Sequence, residues 1–464
     1  MSFDLHFDKF HEECAVFGIW GHPEAGNLTY LGLYALQHRG QEASGIVSYD
    51  GEEFYQEKGM GLVADLFSED RVKRLRGHAA IGHNRYSTTG DSILENVQPI
   101  MVNYALGTLA LAHNGNLINA AYLRDELEAY GAIFQSTMDS EVIVHLIAHS
   151  RQESLMQRIS AALGRVRGAY SLLFLSEEGL VGARDPYGVR PLAIGKLKDA
   201  YVLASETCAF DLIEAEYLRD VEPGEVVIIN REGIRSYSPF PKAKPAACVF
   251  EHVYFARPDS SVFNQFVYPI RKRLGKELAI ESAVPADMVI AVPDSGVAAA
   301  LGYAGASGLP YETGLIRNHY VGRTFIEPQQ SIRHFGVKIK LNAIREVLEG
   351  QRVVVVDDSI VRGTTSRKIV RMIREAGAKE VHMRISSPPI LSPCFYGIDT
   401  PTKAELIAAN KPLEEIRDYI TADSLRYLSM EGMFRAVYDD PAPKNGHFCA
   451  ACFSGDYPIQ FTDE

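Results

Sequence analysis

The sequence predicts two layered units in one chain, an α+β unit over the first half and a doubly wound α/β unit with a parallel sheet over the second. Three observations carry this. Before about residue 238, short β-rich runs such as AAIGHNRYST, LALAHNGNL, AYSLLFLSEEGLVGARDP and VEPGEVVIIN alternate with turn signals, and helical stretches lie at 119–130 and 139–149. Between 238 and 247, SPFPKAKPAA interrupts the apolar patterning with Pro, Lys and Ala. Beyond it, MVIAVPDSGVAAALGYAGASG and QRVVVVDDSIVRGTTSRKIVRMIREAGAKEV each read strand, turn, helix.

The elements follow from these patterns. The unbroken apolar run 353–356 suits a parallel strand buried on both faces, and ligands then gather at the carboxyl ends of such strands. The tail from about 400 reads as mostly helical up to the last cysteine pair. At 464 residues the chain exceeds one ordinary core, so two or three domains are expected. No apolar run is long enough to span a membrane, and MSFDLHFDKFHEE lacks the basic start and apolar stretch of a secretory signal. The cytoplasm is the expected compartment. A net charge of −12 argues against nucleic-acid binding, which needs clustered Lys and Arg. Six cysteines in so long a chain do not make a secreted disulfide scaffold.

VVVVDDSIVRGTTS, 353–366, is the most informative stretch. The strand delivers Asp357 and Asp358 to its carboxyl end, and a Gly-Thr-Thr turn opens a helix that runs to Gly377. Backbone N–H groups and hydroxyls at a helix start suit one phosphate dianion. Neither a Walker loop nor a G-x-G-x-x-G fingerprint is present. Acids beside a phosphate cradle need another task, which ribose hydroxyls or a Mg²⁺ ion would supply; the plain alternative is an acidic helix start. The full string resembles the phosphoribosyl pyrophosphate (PRPP) motif of type I phosphoribosyltransferases. That resemblance implies PRPP contacts from Asp357, Asp358, Ser359, Arg362, Gly363, Thr364 and Thr365. It also implies that VPDSG, 292–296, holds pyrophosphate through Asp294 and Ser295, although P-D-S-G alone is an ordinary turn. Ser295, Asp357 and Asp358 are the expected Mg²⁺ ligands. The stretch 317–340 carries five Lys or Arg against one acid. Charge alone makes it a solvated basic loop; the resemblance makes it a lid over PRPP, with Arg323 and Lys338 as lid residues.

Cys449-x2-Cys452 with distant Cys248 and Cys394 offers four thiolates. A structural Zn²⁺, a [4Fe–4S] cluster and four unrelated core cysteines all remain open on spacing.

Cys14 heads the apolar run AVFGIW, as a buried cysteine at a strand start would. Yet LQHRGQEASGI, GHNRYSTTG and AHNGNL resemble motifs of N-terminal-nucleophile amidotransferases. HNG alone reads as a hairpin turn, and such a turn could present an Asn side chain and a Gly N–H together. The resemblance implies an αββα sandwich, Cys14 as nucleophile, Asn114 and Gly115 as oxyanion hole, and Arg85 and Asp139 as holders of the glutamine α-carboxylate and α-ammonium. Arg39 is expected to support the nucleophile structurally.

Taken together, the chain resembles the glutamine PRPP amidotransferase family of the Bacillus and animal type over nearly its full length. This implies residues 1–13 as a removable propeptide, 14–240 as the glutaminase domain, and 248–464 as the phosphoribosyltransferase domain with a cluster-binding tail. It implies a [4Fe–4S] cluster on Cys248, Cys394, Cys449 and Cys452, structural rather than catalytic, and a Mg²⁺-dependent reaction. Ammonia from glutamine would displace pyrophosphate from PRPP to give 5-phosphoribosylamine, the first committed step of purine synthesis. A homotetramer inhibited by purine nucleotides such as AMP, ADP and GMP is the expected assembly, with no nucleic-acid or membrane partner. Two rival readings fit the sequence less well. A glutaminase fused to a sugar-phosphate synthase has no use for 353–366, and a PRPP-sensing regulator would need a basic DNA-binding module.

Overall fold

The computed structural model describes residues 14–86, 93–318, 341–440 and 448–461. The expected propeptide 1–13 and the expected lid residues Arg323 and Lys338 lie outside the described residues.

The first half is built from strands β1 (Ala15–Trp20), β2 (Ala43–Tyr49), β3 (Phe54–Met60), β4 (Ala79–Arg85), β5 (Ile100–Tyr104), β6 (Gly107–Leu117) and β7 (Gly168–Ser176). They are followed by β8 (Gly179–Arg184), β9 (Ala193–Leu197), β10 (Ala200–Ala204), β11 (Glu216–Asp220), β12 (Val226–Asn230) and β13 (Gly233–Tyr237). One sheet has the order β11-β9-β10-β1-β4-β2-β3, the other β13-β12-β8-β7-β6-β5, and strands pair antiparallel within both.

Period-two alternation explains how they stack. Ala15, Phe17 and Ile19 of β1 pack with Ala25 and Leu33 of helix α1 (Ala25–Ala35), on the outer face. Val16 and Trp20 turn inward to meet Ala110, Ala112, Leu173 and Leu175 of the other sheet. Leu109 and Leu111 of β6 face out again, under α2 (Ala120–Ala129), α3 (Glu141–His149) and α4 (Leu155–Leu163). The result is helix, sheet, sheet, helix, the αββα sandwich expected.

Residues 238–246 form neither helix nor strand. Beyond them, β14 (Met288–Ala291), β15 (Arg352–Asp357), β16 (Glu380–Ile385) and β17 (Ser424–Tyr427) make a parallel sheet in that spatial order. Val354 and Val356 pack with α5 (Val267–Ser282) and α6 (Val297–Ser307) on one face. Val353 and Val355 pack with α7 (Thr364–Glu375) and α8 (Leu413–Ile420) on the other. Burial on both faces is what the unbroken apolar run required. The tail from about 400 is mostly helical, as expected, with β17 set into it: Leu425 of SLRY closes the sheet edge against Met383.

The halves are packed together through charge as well as apolar contact. Ala169 and Val189 of the first half join the core cluster of the second. Arg39 reaches Glu251, 212 positions away, with both side chains fully buried.

Candidate active sites

Cys14 stands just before β1 and is buried. Its Sγ donates to the carbonyl of Tyr86, one residue past the end of β4, at 3.4 Å. Burial pushes the thiol up to about 11, outweighing the Tyr86 backbone contact and the Arg85 charge that pull it down. Asp139 pushes the other way, so both charges lie near enough to act on the sulfur. With its amide intact, this cysteine is a protonated, weakly nucleophilic thiol at neutral pH.

Three placements build the rest of this end. Arg39 Nε donates to the Cys14 carbonyl at 3.2 Å, which is the support expected of it. The same guanidinium binds Glu206 at 2.6 Å and Glu251 at 2.7 and 2.8 Å, with Arg190 a further 3.4 Å from Glu251. Two cations against two anions make the burial tolerable, and removing any one would leave an uncompensated charge. Burial alone would raise Glu206, but His38 and Arg39 hold it well below the usual carboxylate range. Gly40, next to Arg39, lies so close to the Asn84–Arg85 backbone that an added Cβ would stand 2.8 to 2.9 Å from it. That seats the QHRG turn on Arg85, itself buried at the end of β4.

Asn114 and Gly115 lie inside β6, paired with Ser171 and Tyr170 of β7, and not in a hairpin turn. The Asn-Gly signal is overridden because β6 continues to Leu117, and Gly115 supplies the unusual φ of +148° within the strand. Asn114 Nδ2 donates to Ser205 Oγ at 3.4 Å, and the Val16 N–H donates to the same hydroxyl at 3.0 Å. Ser205 thus ties Asn114 to the strand that carries the nucleophile. Asn114 Oδ1 is buried and accepts no hydrogen bond from the described residues. Asp139 precedes α3 and takes the Leu117 N–H on Oδ2 at 2.8 Å and the Ser140 hydroxyl on Oδ1 at 3.0 Å. Burial would raise it, but His113 and these donors hold it below the usual range, an ionised group with lone pairs to spare.

At the other end, β14 and β15 end side by side, Ala291 opposite Val356. Asp357 and Asp358 are both buried, with Asp358 N–H on Asp357 Oδ1 at 3.0 Å and Ser359 Oγ on Asp358 Oδ1 at 2.7 Å. Gly363 takes a left-handed φ of +79° to start α7, so Thr364 and Thr365 open the helix beside those acids. Ser295 and Gly296 lie against β15: a Cβ on Gly296 would stand 2.5 Å from the Val356 carbonyl. Asp294 is exposed and pairs with Arg317 at 2.6 Å, and Arg362 pairs with Glu405 at 2.9 Å. The two loops therefore share one rim, with the acids at its base. Buried Arg271 on α5 donates to the carbonyls of His252 and Ala256, and its charge is felt by Asp358, Glu206 and Glu251. It lies electrically between the two ends.

Cys248, Cys394, Cys449 and Cys452 line one cavity together with Arg190 and Tyr396. Cys248 and Cys449 are register partners in a short parallel ladder, and the Cys452 carbonyl accepts from the Leu391 and Ser392 N–H groups. The Cys449 and Cys452 thiols are raised first by burial and further by Cys394. Among the described residues, no three or more His, Cys, Asp or Glu side chains form a group that could hold a metal ion.

Sequence reasoning missed Glu251 and Ser205. A lone acid inside the apolar stretch CVFEHVYF was a signal of a buried ion pair. Ser205 carried none, because its role depends on β10 lying beside β1.

A family model described as a glutamine amidotransferase domain matches residues 83–211. The amidophosphoribosyltransferase of Bacillus subtilis (strain 168) is 54% identical over 454 residues, covering 97% of this chain and 95% of that protein. Amidophosphoribosyltransferase 1, chloroplastic, from Arabidopsis thaliana is also 54% identical, covering 99% of this chain and 82% of that one. The solved structure described as glutamine PRPP amidotransferase from B. subtilis complexed with ADP and GMP superposes with a TM-score of 0.92 at 53% identity, over 97% of this chain and 98% of that one. Sharing both this architecture and more than half its residues with these proteins from end to end, the chain belongs to the amidophosphoribosyltransferase family.

Proposed function

We propose that this chain takes ammonia from glutamine at Cys14 and transfers it to C1 of PRPP, giving 5-phosphoribosylamine, pyrophosphate and glutamate at the entry to purine synthesis. The observation that carries the reading is that β4, paired with β1, ends at Arg85, and that the charges of Arg85 and Asp139 both act on the Cys14 sulfur. A cation and an anion within electrostatic reach of one thiol suit the carboxylate and ammonium of one amino acid.

Removal of residues 1–13 frees the Cys14 α-amine, whose ordinary pKa near 7.7 to 8.0 leaves part of it unprotonated at neutral pH. The amine takes the thiol proton, and the sulfur attacks the carboxamide carbon. The Gly115 N–H and Asn114 Nδ2 receive the negative charge on the carbonyl oxygen. The ammonium returns its proton to the leaving nitrogen, NH₃ departs, and a γ-glutamyl thioester remains. Water cleaves it to glutamate and restores the thiol. At the second site the ammonia lone pair forms a bond to C1 as the C1–O bond breaks, pyrophosphate leaves with that electron pair, and the new amine sheds a proton. Asp357 and Asp358 hold the ribose hydroxyls, and residues 359–365 hold the 5′-phosphate at the start of α7. Ser295 with these acids would hold Mg²⁺, which supplies charge neutralisation of pyrophosphate. The lid, with Arg323 and Lys338, would exclude water.

The reading includes a structural [4Fe–4S] cluster, as the resemblance to the Bacillus and animal type implies. Cys248, Cys394, Cys449 and Cys452 would hold it: all four line one cavity, and four thiolates are the ligand set such a cluster takes. The reading includes a domain division at 240–248, a homotetramer, and inhibition by purine nucleotides, to which the ADP and GMP of the Bacillus structure lend support. No helix among the described residues is long and apolar enough to cross a membrane, in keeping with a cytoplasmic enzyme. The test is an assay with glutamine, PRPP and Mg²⁺: glutamate and pyrophosphate should appear in equal amounts, and glutamate without pyrophosphate would refute the transfer.

A further inference from the structure

The end of β6 that carries Asn114 and Gly115 is covered by a short turn from the other half of the chain. Asn116 Nδ2 donates to the Phe395 carbonyl at 3.0 Å. Arg190 Nε, from the first half, donates to the Tyr396 carbonyl at 2.8 Å. Between these anchors, Gly397 lies on Gly115 Cα and on the Gly115–Asn116 peptide: a Cβ there would stand 2.9 Å from both Cα and C of Gly115 and 3.1 Å from its O. Those are backbone atoms, which cannot swing aside as a side-chain tip would.

The opposing side of Gly115 is equally closed. A Cβ on Gly115 itself would stand 2.0 Å from the Ala169 carbonyl of β7. The turn is rigid too. The Tyr396 hydroxyl donates to the Ile459 carbonyl at 2.8 Å and accepts the Ile459 N–H at 3.0 Å, and the Tyr396 N–H meets Cys394 Sγ at 3.3 Å. Gly397 needs its φ of +105° to bring the turn this close.

We infer that Gly397 is a positioning residue of the glutaminase: by presenting no side chain, it lets the 395–397 turn press on Gly115 Cα and the peptide that follows it, and so hold the backbone from which the Gly115 N–H, in the preceding peptide, projects. The inference rests on the reading of Gly115 as an oxyanion donor. On this view the glutamine site is completed by residues of the phosphoribosyltransferase half, and its oxyanion hole is in register only when that turn is seated.

The test uses the full-length processed protein with Gly397→Ala, and Asn116→Ala as a second variant. For Gly397→Ala, kcat for glutamine hydrolysis should fall about tenfold or more, toward the roughly hundredfold or greater loss that follows removal of an oxyanion donor. KM for glutamine should change little, because Arg85 and Asp139 are untouched. Binding of the γ-aldehyde analogue of glutamine, whose adduct oxygen occupies the hole, should weaken with kcat. Pyrophosphate release from PRPP with ammonium as nitrogen donor should stay at the unmodified rate, which a general loss of structure would not allow. Asn116→Ala should move the same quantities in the same direction by less. Unchanged glutamine kcat in Gly397→Ala, or a parallel fall in the ammonium-driven rate, would overturn the inference. Should Gly397→Ala fail to fold, Asn116→Ala decides alone, and an unchanged glutamine kcat there overturns it. An unmodified protein that hydrolyses no glutamine would overturn the proposed function instead.

Discussion

Arg39 and Glu251 form a two-point ion pair, at 2.7 and 2.8 Å, in which neither side chain is exposed to solvent. The same Arg39 holds the carbonyl of Cys14 at 3.2 Å. The main chain of the nucleophile is therefore fixed from the other half of the protein. Truncating Glu251 to Ala removes the buried carboxylate that Arg39 and Arg190 share, and a loss of roughly 3–5 kcal/mol is expected. Denaturant unfolding would register it, and glutamine hydrolysis should fall more than ammonium-driven synthesis. Equal losses in both activities would remove Arg39 from the glutamine site.

Replacing Cys14 by Ala should abolish glutamine-dependent activity and leave the ammonium-driven reaction of PRPP intact, since Asp357, Asp358 and α7 are untouched. Initial rates of pyrophosphate release with each nitrogen donor give the comparison. A glutamine rate surviving in the variant would mean another nucleophile.

Burial raises the Cys14 thiol to about 11 while its nitrogen is an amide. At pH 8 only about one thiol in a thousand is then ionised, so the precursor should react slowly with iodoacetamide. Freeing the α-amine supplies a base beside the sulfur, and alkylation should accelerate strongly. Peptide mass analysis of both forms after timed labelling reads this directly, and equal rates would contradict the amine-as-base account.

Glu141 caps the segment leading to Asp139. Burial would raise it, but His145, the Gln135 N–H and Ser136 hold it at about 2. A carboxylate lowered in the folded state stabilises it above the unfolded value near 4.3, and that support is lost as pH falls through about 2. Glutamine-site order should therefore decay between about pH 4 and 2, and Glu141→Gln should flatten that decay while costing roughly 1–2 kcal/mol at neutral pH. Acid titration followed by hydrogen exchange at residues 135–141 is the measurement. An unaltered acid profile would remove Glu141 from the account.

Asp357→Asn and Asp358→Asn each remove a carboxylate from the base of the PRPP rim. KM for PRPP should rise in both donors' assays, and glutamine hydrolysis measured without PRPP should persist. Unchanged PRPP kinetics would move the sugar elsewhere.

How much of this was legible in the chain depended on distance along it. Asp357 to Thr365 form one strand-turn-helix string, so their shared site could be read locally, and Cys449 and Cys452 announced themselves by spacing. His113–Asn114–Gly115 reads locally as a turn, whereas the pairing of β6 with β7, which keeps it extended, is tertiary. Ser205, Glu251 and Gly397 act on residues some 190 to 280 positions away, and no local pattern encodes such neighbours. Leu425 closes a sheet edge for the same reason.

The central claim is that nitrogen freed at Cys14 ends on C1 of PRPP, and glutamine labelled with ¹⁵N at the amide follows it. With PRPP and Mg²⁺, phosphoribosylamine trapped from the processed enzyme should carry the label, one pyrophosphate should appear per glutamate, and the Cys14→Ala variant should yield neither. Labelled ammonia accumulating in solution while PRPP stays intact, or labelled product from the Cys14→Ala variant, would contradict it.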